Sequence, residues 1–130
     1  MSFIYGEPNR SLRFRTWDIM KQMKSDTDLP WVCIGDFNEV LKREEQLGPN
    51  IREEYLMAGF REAVDVCQLC DLGYIGLDWT FEKKVTGGHF VRVRLDRVLA
   101  SANWCARFPL AEVHHLMAVK SDHCPIFFIR

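Results

Sequence analysis

Two short clusters near opposite ends of the chain hold the residue types that phosphate chemistry uses. Gly35-Asp36-Phe37-Asn38 follows the apolar run Trp31-Val32-Cys33-Ile34, and Ser121-Asp122-His123 precedes Pro125-Ile126-Phe127-Phe128-Ile129. Each cluster sits at one end of a predicted buried strand. An aspartate there can ligate a hard cation or take a proton from water. An asparagine two residues on leaves the same face if the backbone stays extended, and its amide can donate to a phosphate oxygen. The same spacing also fits an Asx turn that merely caps the strand. His123 can serve as acid or base near neutral pH, best when a carboxylate orients its other ring nitrogen. Asp96 is the candidate for that carboxylate; a structural hydrogen bond between loops is the alternative. Tyr5 either directs its hydroxyl at a phosphate or buries its ring.

These groups need elements to hold them. Phe3-Ile4-Tyr5 reads as a short strand ending at the turn-forming Gly6-Glu7-Pro8-Asn9. Asn9 or Ser11 can cap a helix running to about Lys24, with Leu12, Thr16, Ile19 and Met23 on one face. Trp31 to Gly35 is a buried strand. Residues 39–52 are charged, contain Gly48-Pro49-Asn50, and read as an exposed loop or short helix. Met57, Phe60, Val64 and Cys67 give Glu53–Cys67 a helical apolar stripe. From Asp71 the pattern turns to β: a bend at Asp71-Leu72-Gly73-Tyr74, a strand at Trp79-Thr80-Phe81, and a hairpin turn at Thr86-Gly87-Gly88. Residues 91–99 alternate with period two, apolar at odd positions, which puts Asp96 in the polar set. A short helix over Ser101–Arg107 and strands over Ala111–Leu116 and Pro125–Ile129 finish the chain. Helices mixed with a β-rich second half predict an α+β fold with a mainly antiparallel sheet.

The bulk properties narrow the classes. The 130 residues are 48% hydrophobic and 27% charged, as in one globular domain. No apolar run approaches the ~20 residues of a membrane span, and the N-terminus lacks the features of a secretory signal. With five cysteines and no export signal, a reduced intracellular protein is expected. Cys67-x-x-Cys70 has no second Cys/His pair to complete a zinc site, so Cys67 is assigned to the helix stripe. The net charge of −1 does not advertise a nucleic-acid partner. Two stretches are basic: Arg10, Arg13, Arg15, Lys21 and Lys24, then Lys83, Lys84, Arg92, Arg94 and Arg97. They could flank a phosphate backbone if folded onto one face, or be ordinary solvated surface.

The ordered blocks Tyr5-Gly6-Glu7-Pro8, Trp17, Gly35-Asp36-Phe37-Asn38, Asp71-Leu72-Gly73, Trp79-Thr80-Phe81, Arg94-Leu95-Asp96-Arg97 and Ser121-Asp122-His123 resemble the endonuclease/exonuclease/phosphatase (DNase I-like) superfamily. The wording is most similar to the endonuclease domains of plant non-LTR (LINE-type) retrotransposons. The resemblance implies a four-layered α/β sandwich, two mainly antiparallel sheets face to face with helices outside, and a phosphodiesterase using Mg²⁺ or Mn²⁺. It implies that Tyr5 contacts the scissile phosphate, that Asp36 positions or deprotonates the attacking water, and that Asn38 holds the phosphate. Asp96 would pair with His123, which stabilises developing charge or moves a proton; Asp122 would lie near the metal, with Asp36 as a further ligand. Asn9, Trp79 and Arg94 are expected substrate contacts. DNA is the implied partner, with a reverse-transcriptase domain or a separate N-terminal half as further ones, and a nuclear location follows if DNA is the substrate.

One departure qualifies the resemblance. The family places an asparagine and a metal-binding glutamate before its Tyr-Gly-x-Pro block, and this chain starts at that block. A complete sandwich needs roughly 200–250 residues. The expectation is therefore the C-terminal portion of a domain, residues 1–130 forming one truncated unit that is inactive or weakly active alone. A non-catalytic nucleic-acid- or protein-binding remnant, or an inositol or lipid phosphatase branch of the superfamily, are the competing expectations.

Overall fold

The computed structural model describes residues 1–118 and 121–130. In chain order the elements are β1 (Ser2–Tyr5), α1 (Phe14–Ser25), β2 (Val32–Asp36), β3 (Gln46–Leu47), α2 (Glu54–Val66), β4 (Leu69–Asp71), β5 (Ile75–Gly76), β6 (Phe81–Lys84), β7 (Phe90–Val93), β8 (Asp96–Ser101), α3 (Ala102–Arg107), β9 (Glu112–His115) and β10 (Ile126–Ile129). The fold is α+β. Among the described residues no helix is long and apolar enough to cross a membrane.

The central sheet has the order β1-β2-β8-β4. Its β1–β2 pair is parallel, while β8 runs antiparallel to both β2 and β4. Period-two alternation sends its side chains to two different cores. Cys33 and Leu99 join Trp17 and Met20 of α1 and Phe60 and Ala63 of α2 on one face. Phe60 stacks on Trp17 at 4.6 Å between centroids and on Phe37 at 5.3 Å. On the other face Val32, Val98 and Ala100 meet Trp104 of α3, Val113 of β9 and Phe128 of β10. Helices, first sheet and second sheet are thus stacked layers, the arrangement of a DNase I-like sandwich. The second sheet is β10-β9-β5, and the β6–β7 hairpin joins β3 in a further one. An antiparallel bridge from Phe81 to His123 ties the hairpin to the loop before β10.

Three expectations need correction. The buried face of α1 is Thr16, Trp17 and Met20, whereas Ile19 is exposed; the large Trp17 ring sets the rotation by stacking on Phe60. Residues 39–52 are not uniformly exposed, because Glu39 is fully buried and Glu45 nearly so, each held by arginines. The alternating run 91–99 is not one strand. It breaks at Arg94-Leu95, so that β7 pairs with β6 and β3 while β8 enters the central sheet. The α2 stripe holds, with Cys67 buried in it, while Cys70 is exposed.

The parallel β1–β2 contact requires glycine at position 35. There φ is +152°, and a Cβ would stand 1.9 Å from the Ile4 carbonyl oxygen. Backbone cannot yield as a side-chain tip would. Gly35→Ala is expected to cost about 3 kcal/mol and to free β1, read as a lowered melting temperature together with lost hydrogen-exchange protection at β1.

Candidate functional site

Strand register places three of the candidate residues in a row. Tyr5 is opposite Asp36 across the parallel pair, and Asp36 is opposite Asp96 across the antiparallel one. All three stand at one rim of the central sheet. His123 completes the cluster from the loop before β10. These four residues, with Ser121, Cys124, Pro125 and Ile126, line an open cleft of about 500 Å³.

Within the cleft the imidazole lies between two carboxylates and is held by one of them. His123 Nδ1 donates to Asp96 Oδ2 at 3.0 Å. With Nδ1–H engaged there, Nε2 faces Asp36 Oδ2 at 3.6 Å, too far for a direct hydrogen bond. The Phe81 ring meets His123 edge-on, with centroids 5.2 Å apart. Burial pushes the Asp36 carboxyl above its ordinary value; the neighbouring Asp96 charge adds to this, while the Asn38 N–H and His123 oppose it. An aspartate made more basic beside an oriented histidine suits proton transfer at a water molecule.

Asn38 does not continue the strand. Its φ is +55°, and its backbone N–H donates to Asp36 Oδ1 at 2.8 Å, closing an Asx turn. Its amide donates to the Gly6 carbonyl at 2.6 Å. Asn38 therefore orients Asp36 and fastens the turn after Tyr5. Tyr5 itself is exposed, so its ring is not buried in the core.

Four expected contacts lie elsewhere. The Asp122 side chain is exposed and stands outside the Asp36–Asp96–His123 group; its carbonyl accepts from Glu82 N–H at 2.8 Å, which fixes the backbone and turns the residue outward. Arg94 is buried and bonds to Glu45 at 3.0 Å and Asp71 at 2.8 Å, which leaves it unavailable to a substrate. Trp79 is covered by the Arg92 guanidinium, 4.2 Å from its ring centroid. Asn9 accepts from Ser11 N–H at 3.0 Å and caps the short 3-10 turn Arg10–Leu12. Six of the ten basic residues in the two basic stretches, Arg10, Arg13, Lys21, Arg92, Arg94 and Arg97, sit in ion pairs.

The structure also adds residues that hold the site. Thr80 is fully buried, and its Oγ1 accepts from the backbone N–H groups of Leu95 and Asp96 at 3.0 and 2.9 Å. Its carbonyl accepts from Cys124 N–H at 2.6 Å. One residue thus pins the backbone at Asp96 and at Cys124, the residue after His123. Arg13 grips the turn after Tyr5, donating to the Glu7 and Pro8 carbonyls at 3.1 and 2.7 Å. On the far side of β8, Arg97 donates to Glu45 and Asp71, each at 2.9 Å. Burial opposes ionisation of Glu45, but the hydrogen bond and charge of Arg97, together with the Leu41 N–H and the Arg94 charge, outweigh it and hold the carboxyl below its ordinary value. Asp71 behaves alike, with Arg94 supplying the larger hydrogen-bond contribution. A period-two run with Arg97 in its apolar phase was the available signal for that burial; nothing local marks Thr80 or Arg13.

Among the described residues, Asp36, Asp96 and His123 form the one group of three potential metal-ligating side chains. It fits Mg²⁺ or Mn²⁺ poorly. A hard cation needs several free oxygens, yet Asp36 Oδ1 and Asp96 Oδ2 are taken by hydrogen bonds and an imidazole lies between the carboxylates.

No family model and no curated protein matches the chain. Among solved structures it is similar to the endonuclease domain of TRAS1, a telomere-specific non-LTR retrotransposon, with a TM-score of 0.65 at 15% identity. The match covers 97% of this chain and 53% of that one, so the chain spans about half the length of the structure it resembles. At this identity the likeness establishes the fold.

Proposed function

We propose that the cleft is the proton-handling side of a phosphodiester hydrolase acting on DNA, of the non-LTR retrotransposon endonuclease type. The observation that carries this reading is the line Asp36–His123–Asp96 at an open sheet rim beside Tyr5. In such a site a water held by Asp36 gives up its proton to that carboxylate as its oxygen bonds to phosphorus, while the P–O bond to one sugar oxygen breaks and that leaving oxygen takes a proton from solvent. His123, oriented by Asp96 through Nδ1–H, acts as the imidazolium, with protons on both ring nitrogens, and donates Nε2–H to the phosphate oxygen on which charge accumulates. The exposed Tyr5 hydroxyl supplies a second donor to the same phosphate. Because Asp36 must be ionised to accept the proton, the rate would rise with pH through a value above the ordinary aspartate range.

The cation such a reaction uses would be Mg²⁺ or Mn²⁺, neutralising phosphate charge. The oxygens Asp36 and Asp96 can offer are too few to hold it, so the chain alone is expected to be inactive or weakly active. Nicking of supercoiled plasmid in either metal tests this. The expected outcome is little or no relaxed circle, with any trace abolished in His123→Ala.

A further inference from the structure

A second groove opens from the same histidine. It has a volume of about 310 Å³ and is lined by Arg10, Asn38, Gln46, Asn50, Arg52 and His123 among others. Beneath it Glu39 is fully buried and accepts from two guanidinium groups, Arg13 Nη1 at 2.8 Å and Arg52 Nη1 at 3.1 Å. Arg13 alone balances the single Glu39 charge, and its Nε and Nη2 donate to the Glu7 and Pro8 carbonyls. Arg52 is therefore a surplus positive charge. It is also rigid, because its Nε donates to Gln46 Oε1 at 2.7 Å. Its other amino group, Nη2, has no hydrogen-bond partner among the described residues. The Arg52 side chain is 19% exposed, enough to meet a ligand in the groove. At the rim, Arg10 is tied only to the exposed Glu53 at 3.3 Å, a surface pair of small worth that exchanges readily.

A fixed guanidinium with one free donor edge, surrounded by side-chain amides, recognises an oxyanion. We infer that this groove is a phosphate subsite in which Arg52, assisted by Arg10, holds a backbone phosphate of the nucleic-acid strand whose neighbouring phosphate lies at His123. The inference rests on the phosphodiesterase reading, since the shared His123 makes the two openings one path. It assigns Arg52 to binding, apart from the chemistry at Asp36 and His123.

Binding is separable from cleavage. Anisotropy of a short fluorescein-labelled duplex in EDTA, between about 50 and 200 mM salt, gives affinity and the number of phosphates neutralised. Arg52→Ala is expected to weaken binding about three- to tenfold and to flatten the slope of log K against log salt by about 0.9. Arg52→Lys keeps the charge and should keep the slope. Because Arg52→Ala leaves Glu39 with one fewer partner, the double variant Arg52→Ala/Glu39→Gln is measured beside it and should lose the same increment. A wild-type slope retained in both alanine variants overturns the subsite and leaves the hydrolase reading standing. A wild-type chain with no salt-dependent duplex binding overturns both.

Discussion

Arg97→Ala is expected to unfold the chain more readily than any surface change, lowering stability by about 3–5 kcal/mol. Arg97 is fully buried and holds Glu45 and Asp71, which lie on other elements. Removing the guanidinium leaves both carboxylates buried with only Arg94 to share. For a chain of this size the loss corresponds to a fall of roughly 12–20 °C in melting temperature, readable by circular dichroism. Adding Glu45→Gln should restore part of it, because the uncompensated charge is the larger cost. The network also fixes acid sensitivity. Glu45 and Asp71 are held below their ordinary values of 4.5 and 3.8, so their contribution is present above those values and is lost as pH falls through the lower folded ones. Asp36 has the opposite sign: its carboxyl is raised, so ionising it weakens the fold, and protonation on acidification removes that penalty. Denaturation curves below pH 4.5 should therefore be steeper in pH for the wild type than for Arg97→Ala.

Thr80→Val should be the most damaging near-isosteric change at the site. The shape is kept and the hydroxyl is lost, leaving the Leu95 and Asp96 N–H groups without their acceptor. Each orphaned donor costs about 1–3 kcal/mol, which puts the total at roughly 2–6 kcal/mol. A purely structural loss would stop there. Because Thr80 pins the backbone at Asp96, the 3.0 Å bond to His123 should loosen as well. The readout is the His123 Nδ1–H proton in the NMR spectrum, which should be visible in the wild type and broadened by exchange in Thr80→Val. Thr80→Ser, which retains the acceptor, should keep it.

The candidate site was legible where chemistry and strand ends coincide. Asp36 closes an apolar run and His123 opens one, and pairing Asp96 with His123 needed only that Asp96 be in the polar phase of its strand. Asn38 was ambiguous on spacing alone, since an extended continuation and an Asx turn share the same two-residue step; φ +55° settles it as the turn. The arginines were misread for a different reason. Arg94 stands in the polar phase of its run and reads as solvent-facing, Arg97 stands in the apolar phase but carries a charge, and their shared partner Glu45 lies 49 and 52 residues away. No local pattern announces such a pair. Burial of Glu39 in a charged loop was hidden for the same cause: Arg13 and Arg52 reach it from different segments. The expected α1 face failed at Ile19, while Thr16 is buried and Met23 packs against the core; spacing alone did not show that the Trp17 ring, which carries more buried area, turns Met20 inward instead.

In the proposed hydrolase the chain holds the water-activating and charge-stabilising side of the site without enough oxygen ligands to hold its metal. Plasmid nicking in Mn²⁺ by the chain and by Asp36→Ala tests this most directly, at concentrations where duplex binding is saturated. Relaxed circle from the chain is expected at or near the level of the Asp36→Ala variant. Robust nicking by the chain that disappears in Asp36→Ala would contradict it.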